Sequence, residues 1–172
     1  MVAMGVPKSL HGRVDKNVLL KSILSQLESE CALQTEAAYT SREEATDEES
    51  KAEDRYDMRS QSAAYLAAGQ ARMAGELADA IAAWRSLVVR PFGPEETIAL
   101  GALVVLEGGA GQVHYLLGPH SGGLEARDGM SSATVVTGSS PLGRQLAGRR
   151  RGDEIFLPGR PKPLRYVVAS VE

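Results

Sequence analysis

Cysteine occurs once, at Cys31, so a disulfide within the chain and a cysteine-built zinc site are both excluded. Cys31 reads as a small core residue. Aromatic residues make up only 5% of the chain. A sequence poor in rings and rich in alanine and leucine spends much of its length in helix. Long apolar runs are also missing. None approaches the roughly 18 residues of a membrane span, and Met1 to Lys8 carries no apolar core of a signal peptide. A cytoplasmic protein without membrane contact is expected. His11, His114 and His120 have no ligand spacing, and Gly118-Pro119-His120-Ser121-Gly122-Gly123 lacks the Gly-Lys-Ser/Thr ending of a phosphate loop. Ser139 and Ser140 have no histidine and acid arranged around them in the sequence, so no catalytic residue of the chain's own is expected.

Proline is absent between Lys8 and Arg90, and glycine there is confined to Gly12, Gly69 and Gly75. Beyond Pro91 both become frequent. The change at Arg90-Pro91-Phe92-Gly93-Pro94 predicts a boundary between a helical region, 13–90, and a region of short strands and turns, 91–172. The first region keeps a heptad register. Leu20, Leu24, Leu27, Cys31, Gln34, Ala38, Ser41 and Ala45 recur in steps of four and three, and a second series runs Leu66, Met73, Leu77, Ile81, Trp84 and Val88. Bulk falls along the first series and rises along the second. That symmetry predicts an antiparallel coiled-coil hairpin, thick at its base and thin at its tip. Pairing Leu20 with Trp84, Leu27 with Leu77 and Cys31 with Met73 gives an index sum of 104 each time, which puts the turn near Ala52. Arms of roughly 30 residues reach about 45 Å.

That turn falls inside an acidic window. From Glu43 to Asp57 there are eight acids and two cations, a net of −6, which leaves +3 for the rest of the chain. The tip carboxylates, within 47–57, are Asp47, Glu48, Glu49, Glu53, Asp54 and Asp57. The helix dipole favours Glu53 and Asp54 at the start of the second helix. It disfavours Asp47, Glu48 and Glu49 at the end of the first, by roughly 0.3–1 kcal/mol each when exposed. Charge runs are usually solvated faces. Carried to the end of a rod, they instead suggest negative charge delivered to a recessed target, and a hard cation such as Mg²⁺ is the natural one.

In the second region, Thr97–Leu100 and Ala102–Leu106 predict a strand pair or one long bent strand. Gln112–Leu117, Ala133–Thr137, Asp153–Leu157 and Leu164–Val171 predict further strands. Ser140 suits an N-cap, Pro141 a first helical position and Gly148 a stop, so a short helix crosses this small sheet. The run Ser139-Ser140-Pro141-Leu142-Gly143-Arg144-Gln145-Leu146-Ala147-Gly148, with Gly152-Asp153-Glu154 after it, resembles the signature of the Gre-type bacterial transcript-cleavage factors. Ala102-Leu103-Val104-Val105-Leu106-Glu107, Tyr115-Leu116-Leu117-Gly118-Pro119 and Arg165-Tyr166-Val167-Val168 resemble strands of the same family. With the hairpin, the resemblance runs from about Asn17 onward.

The resemblance implies an α+β chain: an N-terminal coiled-coil hairpin and a C-terminal domain of FKBP-like fold. It implies a monomeric elongation factor for bacterial RNA polymerase. The globular domain would bind the rim of the secondary channel, with contacts expected at Ser140, Pro141, Leu142, Arg144, Arg149 and Arg150. The hairpin would enter the channel and approach the nascent RNA 3′ end. Its tip would help hold a Mg²⁺ through Glu49, Glu53 or Asp54, and the polymerase itself would hydrolyse backtracked RNA. The sequence departs from the family tip, Asp-x-x-Glu-Asn-Ala-Glu-Tyr. Placing Tyr56 on the tyrosine puts Glu49 on the aspartate but Ala52 on the catalytic glutamate; placing Tyr65 there brings Asp57 near the aspartate and Ser60 or Gln61 near the glutamate. A channel-binding regulator without cleavage, acting as an inhibitor or on initiation, is therefore the second reading. A coiled-coil interaction module unrelated to polymerase is the third.

Arg144, Arg149, Arg150, Arg151, Arg160, Lys162 and Arg165 make the C-terminal end basic. Few aromatics interleave with them, so base stacking on nucleic acid is poorly supported and contact with a protein surface is favoured over DNA. Phe92, Tyr115, Phe156 and Tyr166 are too few rings for the pocket of a prolyl isomerase.

Overall fold

Asp15 sets the start of the first helix. Its carboxylate accepts the Asn17 N–H at 2.8 Å, and its carbonyl accepts the Leu19 N–H at 3.0 Å. The helix α1 then runs from Lys16 to Thr46, and α2 from Met58 to Ser86. The computed structural model describes residues 14–46, 58–109, 111–129, 131–158 and 162–172. At 1.5 Å per residue, the 31 residues of α1 span about 46 Å.

The two helices run antiparallel against each other. Arg85 pairs with Glu28 at 2.8 Å, the Cys31 thiol donates to the Ala74 carbonyl at 3.6 Å, and the Ser41 hydroxyl donates to Gln70 Oε1 at 3.0 Å. These contacts have index sums of 113, 105 and 111: the Cys31–Ala74 contact falls within one residue of the sequence arithmetic, and the long Arg85 and Gln70 side chains reach their partners at higher sums. On α1, Leu20, Leu24, Leu27, Cys31, Gln34, Ala38 and Ser41 are each buried or half-buried, so the first heptad series is the seam. The second series needs correction. Leu66, Met73 and Val88 are 55%, 46% and 77% exposed. The seam of α2 runs instead through Ala63, Ala67, Gln70, Ala74, Leu77, Ile81 and Trp84. Ala63, Ala67 and Ala74, with Gln70, carry its outer half.

The strands are β1 (Leu103–Gly108), β2 (Gly111–Gly118), β3 (Glu125–Asp128), β4 (Ser131–Thr137), β5 (Glu154–Leu157) and β6 (Leu164–Val171), with the short helix α3 (Pro141–Leu146) between β4 and β5. They form one sheet in the order β3-β4-β2-β1-β6-β5. Only β2 and β4 pair in parallel, and the β1–β6 register shifts between Val105 and Leu106. The chain is thus an α+β fold: an antiparallel two-helix hairpin followed by a β-rich domain with one short helix.

Each face of the sheet has its own core. Val104, Leu106, Leu117, Val136, Ile155, Tyr166 and Val168 lie beneath Leu146 of α3, Ile98 and Phe92. On the other face Leu103, Leu116, Ala133 and Val135 meet Leu19, Ile23, Leu27, Ile81 and Trp84 from the base of the hairpin. Burying a side chain such as Leu19 or Ile23 contributes roughly 1.5–3 kcal/mol. Leu19 and Ile23 stand outside the heptad series and belong to the cluster that joins the base of the hairpin to the sheet.

Two strand expectations change. Thr97–Leu100 is not a strand. Ile98 is buried, its N–H donates to the Arg149 carbonyl at 2.7 Å, and its carbonyl accepts the Gly148 N–H at 2.9 Å. The segment is thereby pinned to the end of α3. Conversely, β3 is a strand that the sequence pattern does not announce. Its residues, Glu-Ala-Arg-Asp, bury only Ala126. Its outer edge is satisfied by α1: Ser22 Oγ accepts the Arg127 N–H at 3.2 Å, and Gln26 Nε2 donates to the Glu125 carbonyl at 3.1 Å. Unpaired strand edges invite aggregation, and here helix side chains cover one.

Candidate functional site

Three surfaces carry the residues that the sequence singles out. The first is the outer hairpin. Beyond Cys31 on α1 and before Leu77 on α2, no described residue belongs to either core cluster. From Cys31 to Thr46 this free rod extends about 22 Å. Ala38, Ala67, Ala68 and Ala71 line an apolar groove of about 660 Å³ between its helices, with Tyr39 and Arg42 at the side. Glu43 and Glu44 are exposed in the last helical turns of α1, where the dipole disfavours negative charge. The tip carboxylates Asp47, Glu48, Glu49, Glu53, Asp54 and Asp57, and with them the expected turn at Ala52, lie outside the described residues. Among the described residues no group of three histidine, cysteine or acidic side chains could hold a metal ion.

The second surface is the turn into α3. The Ser140 hydroxyl accepts the Gly143 N–H at 3.0 Å and donates to the Thr137 carbonyl at 2.8 Å. Pro141 occupies the first turn, where its missing N–H costs nothing. Gly143 is required by space: a Cβ there would stand 1.9 Å from the Thr137 carbonyl oxygen. Beside this turn a cleft of about 720 Å³ is lined by Tyr115, Val136, Pro141, Leu142, Gln145 and Leu157. Burial, and secondarily Tyr166, pushes the Tyr115 hydroxyl above its ordinary pKa. Of the six expected contact residues, Ser140 and Leu142 are engaged internally, as the cap and as packing on the core. Pro141, Arg144, Arg149 and Arg150 are exposed.

The third surface is the loop that follows α3. Arg149, Arg150 and Arg151 are all exposed, and among the described residues no carboxylate pairs with their guanidinium groups. The Arg165 guanidinium pairs with Glu154. Arg160 lies outside the described residues.

The joint between hairpin and sheet was legible in the sequence only as a boundary. The Arg90 guanidinium lies 4.1 Å from the Phe92 ring centroid, and the Lys16 ammonium 5.0 Å from it. Lys16 also donates to the Arg90 carbonyl. Burial lowers the Lys16 pKa. Arg90 pairs with Glu96 at 3.0 Å; that contact, and then the Gly93 N–H, hold the Glu96 carboxyl below its ordinary range. Arg-Pro-Phe-Gly-Pro was therefore a clue to ring and cation packing as well as to a break.

No protein-family model matches the sequence, and no curated protein matches it either. Among solved structures, the chain is similar to the GreA factor homolog 1 (Gfh1) protein of Thermus thermophilus, at 18% identity over 87% of this chain and 94% of that one, with a TM-score of 0.37. It is similar to Gfh1 of Thermus aquaticus at 22% identity over 90% and 94%, with a TM-score of 0.36. It is also similar to the transcription elongation factor GreA/GreB from Nitrosomonas europaea at 21% identity over 60% and 78%, with a TM-score of 0.33.

Proposed function

We propose that this chain is a Gre-type factor that binds bacterial RNA polymerase, with its β-rich domain on the rim of the secondary channel and its hairpin inside. The observation that carries the reading is the free rod. About 22 Å of paired helix projects past the last core contact toward the acidic window. A rod of this kind contributes nothing to the core of the sheet domain, so its length needs a use elsewhere. The Ser-Pro-Leu-Gly turn, with its double-duty serine and its space-restricted glycine, supports the same reading through the family signature.

In this reading the chain is not itself an enzyme. Glu49, Glu53 and Asp54 are the residues that would help hold a Mg²⁺ at the polymerase active site, since carboxylate oxygens are the donors this ion prefers. The ion would supply an activated water there. The chain's part is to carry the carboxylates in, at a place set by the docked domain.

The second reading, a channel occupant that regulates without cleavage, is favoured by one specific feature: Ala52 stands where the family's catalytic glutamate falls when Tyr56 is aligned. Backtracked elongation complexes separate the two. Shortened RNA that disappears when Glu49, Glu53 and Asp54 are replaced by alanine supports delivery of carboxylates. Polymerase retention with altered transcript yield, and no new 3′ ends, supports the regulator. A chain that polymerase does not retain at all refutes both and leaves the plain interaction module.

A further inference from the structure

We infer that the loop after α3 is a rigid cationic platform that docks on an acidic protein surface. The inference rests on the polymerase reading and names the chemistry of the surface that the β-rich domain meets. The backbone of this loop is pinned at almost every residue. The Arg149 N–H donates to the Leu146 carbonyl at 3.0 Å, and the Arg149 carbonyl accepts the Ile98 N–H at 2.7 Å. The Arg150 N–H donates to the Asp153 carboxylate at 2.9 Å, and the Arg150 carbonyl accepts the Asp153 N–H at 3.1 Å. The Gly152 N–H reaches the Val168 carbonyl at 2.9 Å. Glycines at both ends, Gly148 and Gly152, take positive φ angles of 79° and 91° that close the loop tightly.

The side chains are the opposite of pinned. Three consecutive guanidinium groups are exposed, and no described carboxylate neutralises them. The nearby acids are already engaged: Asp153 holds the Arg150 N–H, and Glu154 holds Arg165. A flexible loop could spread three like charges apart. This one holds its backbone fixed, so the cationic field is preorganised for a partner. The backbone freedom lost on binding is then small, which favours affinity.

Two observations favour protein over nucleic acid. The platform shares α3 with the apolar cleft lined by Leu142 and Leu157, and a protein partner can bury apolar and charged groups side by side. Few aromatic rings stand among these cations in the sequence, so base stacking on nucleic acid has little support.

The test is the affinity of the full chain for core RNA polymerase as salt rises from about 50 to about 200 mM, for wild type and for Arg149→Glu/Arg150→Glu/Arg151→Glu. Wild-type binding is expected to weaken with salt. The variant is expected to bind at least roughly tenfold more weakly at low salt and to lose most of that salt dependence. An alanine triple variant should fall between the two. Unchanged melting of both variants is expected, because the loop's bonds are made by its backbone. Equal binding by wild type and the variants would overturn the inference while leaving the polymerase reading intact. Loss of binding to a short DNA duplex, with polymerase affinity unchanged, would overturn it in favour of nucleic acid. No binding by the wild-type chain would sink the polymerase reading and the platform with it.

Discussion

Gly118 leaves no room for a methyl group beside Trp84: a Cβ there would stand 2.3 Å from Cη2 and 2.4 Å from Cζ2 of the indole. This contact joins the end of β2 to the last turns of α2, so it fixes the base of the hairpin on the sheet. Trp84 is fully buried and is the one tryptophan of the chain. Gly118→Ala is expected to cost about 1–3 kcal/mol through forced overpacking. Denaturant unfolding measures the loss. Tryptophan emission reports its location, because an indole pushed out of the core shifts to the red. A variant with wild-type stability and unshifted emission would show that the hairpin base is not held this way.

Ser140 performs two tasks with one hydroxyl, capping α3 and tying it to β4 through the Thr137 carbonyl. Loss of such a cap typically costs about 1 kcal/mol. Ser140→Ala should exceed that figure modestly, because the Thr137 contact goes too, and Ser140→Thr should recover part of it. Gly143→Ala should be worse than either, since the obstacle is the backbone carbonyl of Thr137 rather than a movable side chain. Urea unfolding of the three variants gives the order. Gly143→Ala at wild-type stability would contradict the packing described for this turn.

The parts of the fold that could be read in the sequence are those where one physical signal dominates. The α1 seam kept its heptad because its described positions, from Leu20 to Ser41, are all turned inward, buried or half-buried. The strands that alternate or run apolar, from Gln112 to Leu117 and from Leu164 to Val171, announced themselves. Elsewhere two signals competed. In α2 the large side chains Leu66 and Met73 drew the register toward themselves, although the seam there is built from alanine. Leu19 and Ile23 answer to the sheet, which no helical period encodes. Edge strand β3 buries a single alanine, so its pairing is set by β4 and by the side chains of α1 rather than by its own pattern. The turn into α3 was readable down to its cap. The crowding that makes Gly143 obligatory was not, since it comes from a backbone carbonyl folded back across it.

The corrected seam makes a contrast between two residues that the heptad reading placed together. Met73 is 46% exposed, whereas Ile81 is buried against the sheet and α1. Met73→Ala should therefore change stability by no more than about 0.5–1 kcal/mol. Ile81→Ala should cost about 2–5 kcal/mol, the transfer free energy plus the cavity left behind. Equal losses in thermal or chemical unfolding would restore the original series and move Ala74 off the seam.

Acid should loosen the joint at Arg90. The Glu96 carboxyl is held below its ordinary value of 4.5 by the Arg90 guanidinium and then by the Gly93 N–H. The folded chain therefore binds fewer protons than the unfolded chain just below that value, and its stability rises with pH in this range. The contribution is complete above about pH 4.5 and is lost as pH falls through the lower native value. Glu125 acts in the same direction, held down first by Ser132 and then by Arg127. Urea midpoints followed between about pH 5 and about pH 3 should fall in the wild type. They should fall less steeply in Glu96→Gln, and less again when Glu125→Gln is added. Both groups are exposed, so moderate salt should shrink the differences. If Glu96→Gln reproduces the wild-type acid limb, the Arg90 contact does not exist in solution as described.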